Sequence, residues 1–98
     1  MTTLLVTRHA GAREWAEEAG MPVDTVLDHL EPEQVAPGDV VIGSLPVHLA
    51  AEVCSRGGRY LHLVLQVPAE ARGAELSAEQ MRAFGARVVA YRVVREEV

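Results

Sequence analysis

Four polar side chains that could bind or cleave a phosphate ester each follow an apolar run of the sequence: Arg8, His9, Ser44 and Arg72. A guanidinium group can hold a phosphate through two parallel hydrogen bonds and can offset negative charge in a transition state. Histidine can transfer a proton near neutral pH. Gly11 and Gly43 would let the backbone approach a phosphate closely. These residues therefore indicate a phosphorylated ligand, although the glycines form neither a dinucleotide-binding nor a Walker motif.

Each of these side chains also has a structural interpretation. Arg8 and His9 could form a solvated pair in a loop, and Ser44 could cap the helix that follows it. Arg72 could likewise be exposed without binding anything. The remaining histidines, His29, His48 and His62, lack metal-ligand spacing with one another or with a carboxylate cluster. We interpret them as surface or strand residues, and we expect neither a metal nor a cofactor.

Five strands and three helices are predicted to position the candidate residues. Short apolar runs predict strands over residues 3–7, 23–29, 40–44, 60–67 and 87–95. Helical spacing of apolar residues predicts one helix from Ala12 to Ala19 and a second with Pro46 in its first turn. The predicted core face of that second helix contains Val47, Ala50, Ala51 and Cys54. Ser77 and Gln80 form a capping box that begins the third helix.

The order β-α-β-β-α-β-α-β predicts an α/β fold in one domain, residues 1–98. We expect a Rossmann-like three-layer sandwich whose mainly parallel sheet has about five strands. In such sheets, the loops at the carboxyl ends of the strands share one edge, where ligands bind. The loops 7–11, 43–45 and 68–73 should therefore meet. The ligand-binding residues predicted from them are Thr7, Gly11, Gly43, Ser44, Leu45 and Arg72.

Composition restricts the classes of partner. With 14 acidic and 9 basic residues, the net charge is −5, which disfavours long nucleic acids and anionic membrane surfaces. Cys54 is the only cysteine, so no intrachain disulfide can form. We found no membrane-span-length apolar run and no signal-peptide pattern, and we therefore expect a cytoplasmic protein.

The string LLVTRHAGA resembles the start of the histidine phosphatases, which have Arg-His-Gly at the end of their first strand. In that superfamily the histidine is phosphorylated, so the resemblance implies a small phosphohydrolase with His9 as nucleophile. The sequence departs from the pattern because Ala10 displaces the glycine to position 11. The chain is also too short to supply the second histidine and the remaining arginines of that family.

A second resemblance covers nearly the whole chain, through the strings VTRHAGAREWA, PGDVVIGSLPVHLAAEVCSRGGRYLHL and PAEARGAELSAEQMRAFGAR. They resemble a family of short Csx proteins encoded beside type III CRISPR systems and related to the CARF domains, the CRISPR-associated Rossmann folds. The resemblance implies a ring nuclease, which binds and linearises cyclic oligoadenylate, chiefly cyclic tetra-adenylate. It further implies a homodimer that holds the ring across its two-fold axis.

Three hypotheses follow for the function. The first is metal-independent cleavage by a ribose 2′-hydroxyl, which leaves a 2′,3′-cyclic phosphate; Arg8 would offset charge and His9 would transfer a proton. The second is a non-catalytic sponge or sensor that binds the same ring. The third is the phosphohydrolase with a phosphorylated histidine.

Overall fold

In the computed structural model, which describes residues 1–98, a five-stranded sheet carries helices on both faces. The strands are β1 (Thr3–Val6), β2 (Thr25–Leu27), β3 (Val40–Gly43), β4 (Arg59–Val64) and β5 (Arg87–Tyr91). The helices are α1 (Ala12–Glu18), α2 (Val47–Ser55) and α3 (Ala78–Ala83). Two short 3₁₀ turns, Pro32–Gln34 and Ala69–Ala71, lie in the connections after β2 and β4. None of the helices has the length and apolarity needed to cross a membrane.

The strand order is β2-β1-β3-β4-β5, and only β5 runs antiparallel to its neighbour. This confirms the predicted α/β fold with a mainly parallel sheet of five strands and three helices. The chain leaves β1 toward β2 on one side and later returns to place β3 on the other side. Adjacent connections therefore diverge between β1 and β3, which creates a crevice at the carboxyl ends of these two strands.

Each face of the sheet has its own apolar core. Leu5 and Leu63 pack with α1 and α3, whereas Leu4 and Val41 pack with α2 on the opposite face. Alternation along a strand sends neighbouring side chains to opposite faces, so the continuous apolar run at residues 4–6 suits a strand covered on both sides. Trp15 of α1 is buried, in agreement with its predicted core position.

Local signals fixed the start of α3. The Ser77 Oγ accepts a hydrogen bond from the Gln80 backbone N–H at 3.1 Å, and the Gln80 Oε1 accepts one from the Ser77 N–H at 2.9 Å. Leu76 and Met81 are both buried beside this cap. The predicted capping box is thereby confirmed, with Ser77 preceding the first helical residue.

Several sequence predictions needed correction, including the second strand, which spans Thr25–Leu27 rather than residues 23–29. Val47 is 75% exposed rather than buried, because α2 turns Ala50 and Val53 toward the sheet. Pro46 precedes α2 instead of lying in its first turn. The last strand ends at Tyr91 rather than residue 95, because the chain then leaves the sheet and the Val93 N–H donates to Cys54 Sγ on α2 at 3.4 Å.

Candidate functional site at the crevice between β1 and β3

A cavity of about 340 Å³ lies at the carboxyl ends of the parallel strands. Its walls come from the loops after β1, β2 and β3, from the start of α2, and from β4 and the residues after it. The lining residues are Val6, Thr7, Arg8, His9, Asp28, His29, Leu30, Ser44, Leu45, Pro46, Leu49, Leu63 and Leu65. The topology therefore brings Arg8, His9 and Ser44 together, as the sequence predicted. Leucine side chains and a few polar groups share the walls, a combination typical of small-molecule sites.

Arg8 reaches across the cavity to the loop that follows β2. Its Nη2 lies 3.4 Å from Nε2 of His29, and both residues are exposed. A guanidinium group can only donate, so the His29 Nε2 is the acceptor and its ring proton lies on Nδ1. The Arg8 cation forms no salt bridge with a carboxylate. Its charge is therefore available to an anionic ligand.

His9 is half-buried, and the protein fixes its ring through one nitrogen. The Nδ1 accepts a hydrogen bond from the Leu76 backbone N–H at 3.1 Å. A neutral imidazole has one protonated nitrogen, so the proton of His9 lies on Nε2. The Thr7 Oγ1 accepts a hydrogen bond from the His9 N–H at 3.0 Å, which fixes the backbone of the same residue. His9 thus offers the cavity an N–H donor in a fixed orientation.

Ser44 does not cap α2. Its hydroxyl donates to the Leu63 carbonyl oxygen at 2.7 Å, which links the loop after β3 to β4. The hydroxyl proton is therefore already used, but the oxygen can still accept a hydrogen bond. Pro46 occupies the position before α2 and lines the cavity. The first N–H groups of α2 lack intrahelical acceptors, as at every helix start, and favour an anion nearby.

The buried Tyr60 phenol holds the loop that carries Ser44. It donates to the Gly43 carbonyl oxygen at 3.0 Å and accepts from the Leu45 N–H at 2.9 Å. The His62 Nδ1, at 2.6 Å, fills the second acceptor site of the same oxygen. Burial raises the pKa of the Tyr60 hydroxyl, while the hydrogen bond from Leu45 opposes that rise. The phenol therefore keeps its proton at neutral pH and can continue to donate to Gly43.

The two predicted site glycines provide space for packing. A Cβ on Gly11 would come within 2.1 Å of the Ala78 backbone nitrogen, so glycine is needed where the loop after β1 meets the start of α3. A Cβ on Gly43 would lie 2.8 Å from the Val6 carbonyl oxygen. Neither glycine lines the cavity, whereas Thr7 and Leu45 do. In this structure, close packing of backbone accounts for both glycines.

Arg72 lies apart from the cavity. It lines a separate, open depression of about 620 Å³ formed with residues 65–68 and 83–85. Its Nε donates a long hydrogen bond of 3.5 Å to the Val67 carbonyl oxygen, and the side chain is exposed. Leu65 borders both depressions. The structure therefore does not bring Arg72 together with Arg8 and His9.

Asp28 and His29 are cavity residues that the sequence analysis missed. They follow β2, whose carboxyl end shares the sheet edge with those of β1 and β3. The sequence predicted a strand that continues through residue 29, whereas β2 ends at Leu27 and leaves both residues in the loop that follows it. No group of three or more His, Cys, Asp or Glu side chains is placed to hold a metal ion.

The fold and cavity define a small α/β protein with a candidate anion-binding crevice between β1 and β3. The family model described as "Putative CRISPR-associated protein (Cas_VVA1548)" matches residues 4–94, and the chain belongs to this family of CRISPR-associated proteins. The matched span contains every residue that lines the cavity. Membership confirms the CRISPR association implied by the resemblance to the short Csx proteins. Searches of curated proteins and of solved structures gave no match.

Proposed function

We propose that this protein binds cyclic tetra-adenylate at the cavity and linearises it without a metal ion, which would switch off type III CRISPR signalling. The observation that carries the proposal is the convergence of Arg8, His9 and Ser44 on one crevice of a CRISPR-associated protein. Membership in the family supports a role in CRISPR biology. The resemblance to the short Csx ring nucleases supplies the ligand and the reaction.

The polar groups of the cavity suit a phosphodiester. The Arg8 guanidinium, which forms no salt bridge with a carboxylate, can bind the phosphate oxygens, and the His9 Nε2–H can donate to one of them or to the leaving oxygen. Leu49, Leu63 and Leu65 supply apolar surface on which a sugar or base can lie. Because Arg8 provides a local positive charge, the net charge of −5 does not prevent binding of a small anionic ring.

Cleavage follows from alignment of a ribose 2′-hydroxyl with its own phosphate. The 2′-hydroxyl gives its proton to a base while its oxygen attacks phosphorus in line with the 5′-oxygen, which leaves and takes a proton from water. The products are a free 5′-hydroxyl and a 2′,3′-cyclic phosphate. Arg8 offsets the charge that develops on the phosphoryl oxygens, and His9 donates a hydrogen bond toward the leaving oxygen.

The size of the cavity supports a homodimer. A volume of about 340 Å³ is near the lower limit for small-molecule sites, so one cavity can accept one nucleotide unit and not the whole ring. A second copy related by a two-fold axis would present an identical cavity to the opposite unit of a two-fold symmetric ring. Strand β5 lies at a sheet edge, and its unpaired backbone groups could contribute to such a contact.

The test compares binding and cleavage in three variants. We expect Arg8→Ala to weaken binding of cyclic tetra-adenylate and to slow cleavage of the saturated complex by ~10²-fold or more. His9→Ala should slow cleavage with a smaller effect on binding. Arg56→Ala is the control, because Arg56 is an exposed arginine on the far end of α2 that pairs with Glu52. Tight binding by the wild-type protein with no cleavage would instead identify a sponge or sensor.

The phosphohydrolase hypothesis is less compatible with the site. A phosphorylated His9 would need a ring nitrogen with a free lone pair, but Nδ1 already accepts from Leu76 and Nε2 carries the proton. Formation of a phosphohistidine would require that hydrogen bond to break. Acid-labile phosphate on His9 after incubation with substrate would favour this hypothesis over ring cleavage.

A further inference from the structure

His29 is the second imidazole of the cavity, and its hydrogen bonding is the opposite of that of His9. The His29 Nε2 accepts from Arg8, so it has a lone pair directed at the guanidinium group. The His9 Nδ1 accepts from the Leu76 backbone, so its free nitrogen, Nε2, is a donor. The His29 ring can therefore take a proton from a ligand. The His9 ring can only donate a hydrogen bond as long as its Nδ1 keeps the hydrogen bond from Leu76.

We propose that His29 is the general base that removes the proton from the attacking 2′-hydroxyl. This inference rests on the proposed ring-nuclease function. The Arg8 Nη2 lies 3.4 Å from the His29 Nε2, so a phosphate bound by Arg8 would lie beside the imidazole of His29. The 2′-hydroxyl that attacks this phosphate would be in the same region. Binding of phosphate would engage the guanidinium group, which frees the His29 lone pair for the hydroxyl.

The proposed cleavage step transfers one proton to His29, forms one bond to phosphorus and breaks another. The His29 Nε2 takes the 2′-hydroxyl proton while the 2′-oxygen forms its bond to phosphorus, and the bond between phosphorus and the 5′-oxygen breaks. The 5′-oxygen takes a proton from water. The resulting imidazolium then returns its extra proton to the solvent, which is accessible because His29 is exposed. No oxidant, reductant or metal enters this balance.

The loop after β2 places this base independently of the other polar groups. His29 follows Leu27, the last residue of β2, whose carbonyl oxygen accepts from the Thr7 N–H at 2.9 Å. The adjacent Leu30 is buried in the core that contains α2. A hydrogen bond on one side and a buried leucine on the other therefore hold the His29 segment against the loop that carries Arg8.

Single-turnover cleavage of cyclic tetra-adenylate by two His29 variants tests the inference. In His29→Ala the cleavage rate should fall by ~10²-fold or more with ring binding retained, and added imidazole should restore part of the rate. His29→Gln keeps an acceptor for Arg8 but cannot take the proton, so it should be as slow as His29→Ala. His48→Ala is the control, because His48 is exposed and does not line the cavity, and it should cleave within a few-fold of wild type.

Each contrary result has a distinct meaning. Wild-type cleavage rates in His29→Gln would show that His29 only positions Arg8, which overturns the inference and leaves the proposed function intact. Failure of added imidazole to restore cleavage by His29→Ala, or an equal loss of cleavage in His48→Ala, would also overturn it. Absence of cleavage by the wild-type protein would overturn the proposed function and this inference together.

Discussion

Single hydrogen bonds decide what each side chain in the cavity can do. His9 and His29 are the same residue type in neighbouring loops, but a backbone N–H occupies one ring and an arginine faces the other. The Ser44 hydroxyl similarly already donates its hydrogen bond to the Leu63 carbonyl oxygen. Roles for these groups therefore follow from which atom the protein already uses, and residue type alone does not supply them.

Asparagine at position 9 separates tethering from donation. The amide oxygen of Asn can accept from the Leu76 N–H as Nδ1 does, but the variant lacks a group in the position of Nε2–H. We expect His9→Asn to unfold at nearly the wild-type temperature and to cleave cyclic tetra-adenylate ~10²-fold more slowly. Thermal unfolding and single-turnover cleavage of His9→Asn and His9→Ala would check this. Equal cleavage by wild type and His9→Asn would exclude a role for the Nε2 donor.

Removal of the Tyr60 hydroxyl should affect both stability and the site. Tyr60→Phe leaves the Gly43 carbonyl and the Leu45 N–H without their partner, which costs about 1–3 kcal/mol of unfolding free energy. The loop that carries Ser44 should also lose its position, so ligand binding should weaken. Urea denaturation and ligand titration measure the two effects. Tyr91→Phe is the control, because the Tyr91 ring is half-exposed. Unchanged stability and binding in Tyr60→Phe would disprove the anchoring role of the Tyr60 hydroxyl.

A single side chain, Asp39, connects the segments that precede β1 and β3. Asp39, at the start of β3, accepts hydrogen bonds from the Ala36 N–H at 2.9 Å and the Thr2 N–H at 3.0 Å. One carboxylate thus links the turn before β3 to the residue before β1. Because these two strands border the cavity, their relative position depends partly on Asp39.

The ionisation of Asp39 should make stability depend on pH. The Ala36 N–H first, and then the Thr2 N–H, lower the pKa of this carboxyl below its ordinary value of 3.8. The contribution of the Asp39 carboxylate to the free energy of unfolding is therefore present above pH 3.8 and is lost as the pH falls through the lower folded-state pKa. Chemical denaturation between pH 2 and 6 should show a smaller acid-induced loss for Asp39→Asn than for wild type. Identical pH profiles would contradict this assignment.

Sequence patterns predicted the helices and strands better than they predicted the burial and placement of individual side chains. The capping box at Ser77 and the alternating core of β4 depend on neighbouring residues, so sequence spacing was sufficient for them. Val47 was misplaced because helical spacing gives a face but not the rotation of that face toward the sheet. Arg72 follows a parallel strand, yet its long loop carries it to another depression. His29 was missed because the second strand was predicted to continue through residue 29, which placed His29 inside the strand instead of in the loop after it.

The whole molecule combines an acidic composition with a crevice whose charged lining residues are one arginine and one aspartate, Arg8 and Asp28. The net charge is −5, while Arg8 is free of carboxylate partners at the crevice. Under the proposed function, this arrangement would favour a small phosphodiester over long nucleic acids, because only a compact ligand can contact Arg8 without facing the remaining acidic surface. In the same proposal, the size of the cavity and the symmetry of a four-nucleotide ring favour two copies of the chain for each ring.

Metal-independent ring cleavage can be measured by incubating the purified protein with radiolabelled cyclic tetra-adenylate in excess EDTA. Products are resolved over time and their ends identified, with Arg8→Ala as the inactive control. We expect linear fragments that end in 2′,3′-cyclic phosphate and carry a 5′-hydroxyl. Intact ring retained by the protein, cleavage only after a metal ion is restored, or products with other ends would contradict it.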